Sequence, residues 1–272
     1  MRPVIGQEKL IKILDSYTLQ TAPRTMLFLG PHGCGKSWIA AYFAEQLGLE
    51  VVHIKDNDLT MENDGDEKLI EYYQCPVEKL YLIDLNNMST LNQQRLLKFV
   101  EEPSPTMYVI LMAESELGIL PTIVNRCIKH VFEPYTIDQL KQFDWVTDLD
   151  EELVYQICKT PGQLSEFTTD NVALAIEKCN AILNGLKRAS YANTLSLSAF
   201  VSCKDDENKI AFEVFFDILT YLAFKSFKEK NDDLSLKIYL YTIRQRAKTV
   251  STAFAKEPFL LSFLDGLWRL VH

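Results

Sequence analysis

The chain has 272 residues, 47% of them hydrophobic and 24% charged, with a formal net charge of -9. That length accommodates one large domain or two to three modest ones, and the composition is that of an ordinary globular protein. The acidic balance argues against general nucleic-acid binding outside a local basic patch.

No apolar run approaches the roughly 18 residues of a membrane span. The opening Met1-Arg2-Pro3-Val4-Ile5-Gly6-Gln7 lacks the charged-then-apolar pattern of a signal peptide, so a cytoplasmic protein without membrane contact is expected. Cys34, Cys75, Cys127, Cys158, Cys179 and Cys203 include no C-x-x-C pair, so reduced thiols are expected and no zinc. Acidic clusters over 56–66 and 148–152 read as solvated loops or helix starts.

In chain order, residues 8–16 carry apolar side chains at helical spacing, and 25–29 form a short apolar run ending at Gly30, a buried parallel strand. A helix follows over 37–47, closed by Gly48 where a left-handed cap is favoured. Residues 50–54 read as a second strand, 67–73 as a helix, 79–84 as a third strand, 91–100 as a helix and 107–112 as a fourth strand. Helices alternating with apolar strands imply an α/β domain, its parallel sheet covered on both faces. Beyond Pro134 only helical signals remain, from residue 137 onward. Short helices are expected over 151–158 and 162–167 and longer amphipathic ones from about 171, clearest over 211–227 and 234–254.

Between the first strand and the second helix stands Gly30-Pro31-His32-Gly33-Cys34-Gly35-Lys36-Ser37, a complete G-x-x-x-x-G-K-[ST] phosphate loop. Its glycines let backbone N–H groups turn in around a phosphate, and the following helix N-terminus adds its positive dipole. Lys36 is expected to reach the β- and γ-phosphates of ATP or ADP, and the Ser37 hydroxyl to ligate Mg²⁺. Asp84, at the end of an apolar strand, fits the second Mg²⁺ ligand. In many ATPases of this class a Glu follows that Asp and polarises the attacking water. Here Leu85 follows, then Asn86 and Asn87, and leucine accepts no proton.

Several segments together resemble the clamp-loader branch of the AAA+ ATPases, which includes the bacterial DNA polymerase III gamma/tau and delta-prime subunits and the small subunits of replication factor C. Val4-Ile5-Gly6-Gln7 resembles the branch's adenine-pocket motif, and Leu96-Leu97-Lys98-Phe99-Val100-Glu101-Glu102-Pro103 its L-L-K-x-x-E-E-P signature. Ile119-Leu120-Pro121-Thr122-Ile123-Val124-Asn125-Arg126-Cys127 resembles L-P-T-I-x-S-R-C, and Thr160-Pro161-Gly162-Gln163-Leu164 the S-P-G-R-A lid motif. The resemblance implies a P-loop AAA+ module over 1–132, a helical lid over 133–172 and an all-helical collar over 173–272. It implies that Val4 and Ile5 border the base, and that Arg126 is a finger reaching into the ATP site of an adjacent subunit.

The departures are informative too. The catalytic Glu is replaced by Leu85, the lid's sensing Arg falls at uncharged Gln163, and the strand-end sensor falls near Glu114-Ser115. Of the branch's zinc-binding cysteines only Cys75 lies in the expected interval. Lost own-site chemistry beside a retained Arg126 is similar to delta-prime and implies weak or absent hydrolysis. It further implies gamma/tau-like and delta-like partners joined through the collar, with a sliding clamp and primer–template DNA in the assembled complex of a bacterial or phage replication system. The alternatives are an active gamma/tau-like ATPase with Glu114 or Glu101 as base, and a non-replicative interaction module. Arg95 and Lys98 are candidates to meet DNA phosphates.

Overall fold

A computed structural model describes residues 4–60, 65–86, 88–143, 151–166, 169–185, 190–202, 210–251 and 255–272. Asn87, Cys203, Glu62 and Asp64 of the first acidic cluster, residues 148–150 of the second, and the ends of the helices expected to reach 167 and 254 lie outside the described residues. The chain divides into two compact units, Met1–Asp144 with Thr160–Gln163, and Trp145–Lys159 with Leu164–His272.

The first unit is built on a five-stranded parallel sheet of β1 (Thr25–Leu29), β2 (Glu50–Ile54), β3 (Lys79–Asp84), β4 (Met107–Ala113) and β5 (Ile128–Val131), in the order β2-β3-β4-β1-β5. Its helices are α1 (Glu8–Asp15), α2 (Lys36–Leu47), α3 (Gly65–Gln74), α4 (Thr90–Arg95), α5 (Leu97–Glu101), α6 (Pro121–Val124) and α7 (Ile137–Leu140). Because strand side chains alternate between faces, each central strand feeds two cores. Met26, Phe28, Leu80, Leu82, Tyr108 and Ile110 pack with Leu10 and Leu14 of α1 and with Ile39, Ala40 and Phe43 of α2. Leu27, Leu29, Tyr81, Ile83, Val109 and Leu111 pack with Phe99 and Val100 of α5 and with Ile123 and Val124 of α6. Burial on both faces explains why β1 and β4 read as unbroken apolar runs.

The helix expected over 91–100 is two, α4 and α5, meeting at Leu96. Ser89 caps α4 by accepting from the Asn92 amide (3.2 Å). β5 and α6 are elements the sequence reading did not predict. β5 is four residues long and mostly exposed at the sheet edge, which leaves little apolar pattern.

The second unit holds α8 (Glu151–Ile157), α10 (Thr169–Gly185), α11 (Tyr191–Ser196), α12 (Phe212–Lys230), α13 (Asp233–Ser251) and α14 (Lys256–Val271), and the chain enters it a second time through α9 (Pro161–Glu166). Its core is aromatic: Phe216 lies 4.6 Å from Phe263, 5.0 Å from Phe212 and 6.0 Å from Phe259 between ring centroids. A two-residue parallel pairing of β6 (Val201–Ser202) with β7 (Ile210–Ala211) is a small departure from helix here. Among the described residues no helix is long and apolar enough to cross a membrane.

Candidate nucleotide-binding site

In an open parallel sheet, ligands bind at the carboxyl ends of the strands. Here those ends bring together residues 30–37 after β1, Asp84 at the end of β3 and Glu114 just past β4. The Gly30 amide donates to Ala113 O (3.1 Å) and the Leu85 amide to Met112 O (2.8 Å), fixing the three ends side by side.

Gly33 and Gly35 have φ of 72° and 92°, values that side-chain-bearing residues rarely adopt, and α2 starts directly at Lys36. Lys36 is buried, its ammonium donating to Gly30 O (2.6 Å) and Pro31 O (3.0 Å). Cys34 is buried beneath the loop, and burial pushes its thiol up despite the nearby Lys36, so it stays protonated and inert at neutral pH. On the loop's outer side, His32 O accepts from the Thr160 hydroxyl (2.9 Å), Gly33 O from the Gly162 amide (2.9 Å) and Cys34 O from the Tyr135 hydroxyl (3.1 Å). A glycine-rich turn at a helix N-terminus with a buried lysine fits the phosphates of a nucleotide.

The metal side is sparser. The Ser37 hydroxyl points at the Met112 thioether (3.4 Å). Exposed Asp84 accepts from the Asn86 amide (2.9 Å), and Asn86 Oδ1 in turn accepts from the Glu114 amide (2.9 Å). Ser37 and Asp84 supply two oxygen donors, and Mg²⁺ is commonly held by one or two carboxylates with the remaining positions taken by phosphate and water. Among the described residues no group of three or more His, Cys, Asp or Glu is placed to hold a metal by itself. Leu85 is 4% exposed and belongs to the core with Met88, Leu96 and Phe99. Leu85, next to Asp84, thus faces the protein interior.

Val4 and Ile5 are partly buried, leading into Gly6 and Gln7, both at positive φ (74° and 61°). Gln7 is buried and grips one backbone unit with both ends of its amide, donating to Glu133 O (2.7 Å) and accepting from Glu133 N (2.8 Å). A methyl group on Gly6 would stand 2.7 Å from the Tyr135 ring. Tyr135 therefore joins the N-terminal segment to the phosphate loop. The sequence reading did not single it out, since one tyrosine after a boundary proline carries no periodic or motif signal.

Arg126 is not among the partners of the loop. It lies just past α6, 44% exposed, its guanidinium 3.3 Å from Glu101 and donating to Thr122 O (3.0 Å). Arg95 does not offer itself to a phosphate. Its side chain is 13% exposed and spent on Leu59 O, Asn92 Oδ1 and Asp66. Lys98 lies over the Tyr73 ring, 4.4 Å from its centroid.

Residues 67–136 match the model of a family described as DNA polymerase III, delta subunit. Replication factor C subunit 4 of Arabidopsis thaliana is 28% identical over 155 residues, covering 49% of this chain and 45% of the relative. The replication factor C small subunit of Thermofilum pendens is 27% identical over 158 residues, covering 53% and 48%. The chain is thus similar, over part of its length, to DNA polymerase III delta and replication factor C subunits. It spans about half the length of the curated relatives it matches. A solved RuvB variant of Thermotoga maritima superposes with a TM-score of 0.50 at 15% identity, over 95% of this chain and 88% of that one. This likeness speaks to the fold alone, a P-loop AAA+ module followed by helices. An AAA+ P-loop fold implies, in general, a nucleotide with Mg²⁺.

Proposed function

We propose that the chain is a delta-prime-like subunit of a sliding-clamp loader, one that binds nucleotide with little or no hydrolysis and supplies Arg126 to a neighbour's ATP site during DNA replication. The observation that carries this is the contrast between Leu85, sealed in the core, and Arg126, held at the surface by an exposed ion pair with Glu101 and a hydrogen bond to Thr122 O. A guanidinium delivered to a transferring phosphoryl stabilises the charge that spreads over its oxygens. In this reading residues 30–37 hold the phosphates, Val4 and Ile5 border the base, and Ser37 and Asp84 take Mg²⁺. Residues 1–132 form the nucleotide-binding module, 133–172 the lid and 173–272 the collar. The collar joins gamma/tau-like and delta-like subunits around primer–template DNA and a sliding clamp, in the cytoplasm of a bacterium or of a phage-infected cell.

The test is DNA-stimulated ATP turnover of the reconstituted loader. Arg126→Ala is expected to lower the turnover of the neighbouring site by about 10³ or more, the lower end of what arginine fingers contribute. Unchanged turnover would sink the proposal.

A motor reading has one observation in its favour: Asn86 ties the backbone of Glu114 to Asp84, bringing a second carboxylate-bearing residue to the metal side. Robust turnover by the isolated chain, abolished by Lys36→Ala, would select it.

A further inference from the structure

A phosphate loop works while its N–H groups point inward, and a glycine-rich turn has ample freedom to lose that arrangement. Here every carbonyl from residue 30 to 34 has a partner. Lys36 takes those of Gly30 and Pro31 from inside the loop. The next three are each taken by a donor from elsewhere in the chain: Thr160 on His32, Gly162 on Gly33 and Tyr135 on Cys34. A carbonyl fixed outward fixes its peptide plane, and with it the amide of the following residue.

Thr160 is 1% exposed, and its oxygen also accepts from the Gln163 amide (3.3 Å), so its own hydrogen is directed to His32 O. Gly33 and Gly162 pack backbone to backbone. A methyl group on Gly33 would stand 2.7 Å from Gly162 Cα and 2.8 Å from the Thr160 hydroxyl, so neither glycine can gain a side chain without parting the two segments. Thr160–Gln163 belongs by its contacts to the sheet unit, although the chain on either side belongs to the other unit.

We infer that Tyr135, Thr160 and Gly162 are positioning residues of the phosphate site, setting its affinity for a nucleoside di- or triphosphate from behind the loop. The inference rests on the reading of residues 30–37 as a phosphate site. None of the three donors is charged, and each holds the loop rather than the ligand. They act by removing freedom that the loop would otherwise lose on binding. The lid-motif residue Gln163 is uncharged, and the two hydroxyls with the Gly162 amide supply the order.

Titration calorimetry on the full chain with Mg-ADP and with inorganic tripolyphosphate, which has no base, tests this. Tyr135→Phe removes one oxygen, and Thr160→Val removes the hydroxyl at nearly constant volume. Each is expected to weaken both ligands by the same factor of about fivefold, equivalent to about 1 kcal/mol for one lost hydrogen bond. Thr160→Ser is expected to bind as wild type, a rescue that a mere packing role for the threonine methyl would not give. Unchanged affinity for tripolyphosphate, or a loss confined to Mg-ADP, would overturn the inference and leave the phosphate reading standing. A wild-type chain that binds neither ligand would overturn both.

Discussion

The Arg126 guanidinium and the Glu101 carboxylate pair at 3.3 Å with side chains 44% and 40% exposed, so the proposed trans-acting arginine is parked on its own subunit in a pair that water reaches. Exposed pairs contribute about 0–1 kcal/mol, little enough to be exchanged for a phosphate of a neighbour. Glu101→Gln is therefore expected to change unfolding free energy by less than about 1 kcal/mol in urea titrations. A larger loss would mean that the pair is a structural bond and that releasing Arg126 is costly.

Leu85→Glu restores the motif residue on paper and is expected to fail in the protein. The new carboxylate would lie among the apolar side chains of Met88, Leu96 and Phe99. An uncompensated buried charge of this kind costs about 3–5 kcal/mol, read as a fall in the urea midpoint at pH 7. Burial raises such a carboxyl's pKa, so part of the loss should return on mild acidification. Turnover by the isolated variant should not rise.

His130 gives a pH prediction. It is 8% exposed, its ring lies edge-on to Phe28 at 5.7 Å, and its Nε2 has no hydrogen-bond partner among the described residues. Burial lowers its pKa below the ordinary 6.5. As pH falls through 6.5 the unfolded chain takes up this proton before the folded chain does, so the stability present above that pH is lost, by at most about 1.4 kcal/mol per pH unit. His130→Phe should narrow the difference between pH 7.5 and pH 5 urea midpoints. An identical pH dependence in wild type and variant would contradict this.

The aromatic core of the second unit is open to a direct test. Phe216 is fully buried against Phe212, Phe215, Phe259 and Phe263. Phe216→Ala is expected to cost about 3–5 kcal/mol. Calorimetry should record a low-temperature transition from this unit, while the sheet unit, with its own two cores, melts near the wild-type temperature.

Much of the sheet was legible because β1, β3 and β4 are buried on both faces and cannot hide their apolar runs. The phosphate loop was legible because its glycines and lysine are demanded by geometry at fixed spacing. β5 was not, since four residues at an edge, three of them exposed, carry almost no pattern. The engagement of Arg95 was equally silent: a basic residue on an exposed helix and one turned onto Leu59 and Asp66 read alike in one dimension. Tyr135 and Thr160 entered the site through contacts across 101 and 128 positions, which no local window reaches.

Those long separations bear on how the protein is made. The loop lies near the start of the chain, yet Gln7 is gripped only when Glu133 has emerged, and Gly33 is buttressed only when Gly162 has. Contacts this distant in sequence form late and slow the reaching of the native state. During synthesis, the segment that must be most ordered to hold a phosphate would wait, unsupported, for more than a hundred residues to leave the ribosome. The proposed nucleotide site is therefore finished only once the sheet unit is complete.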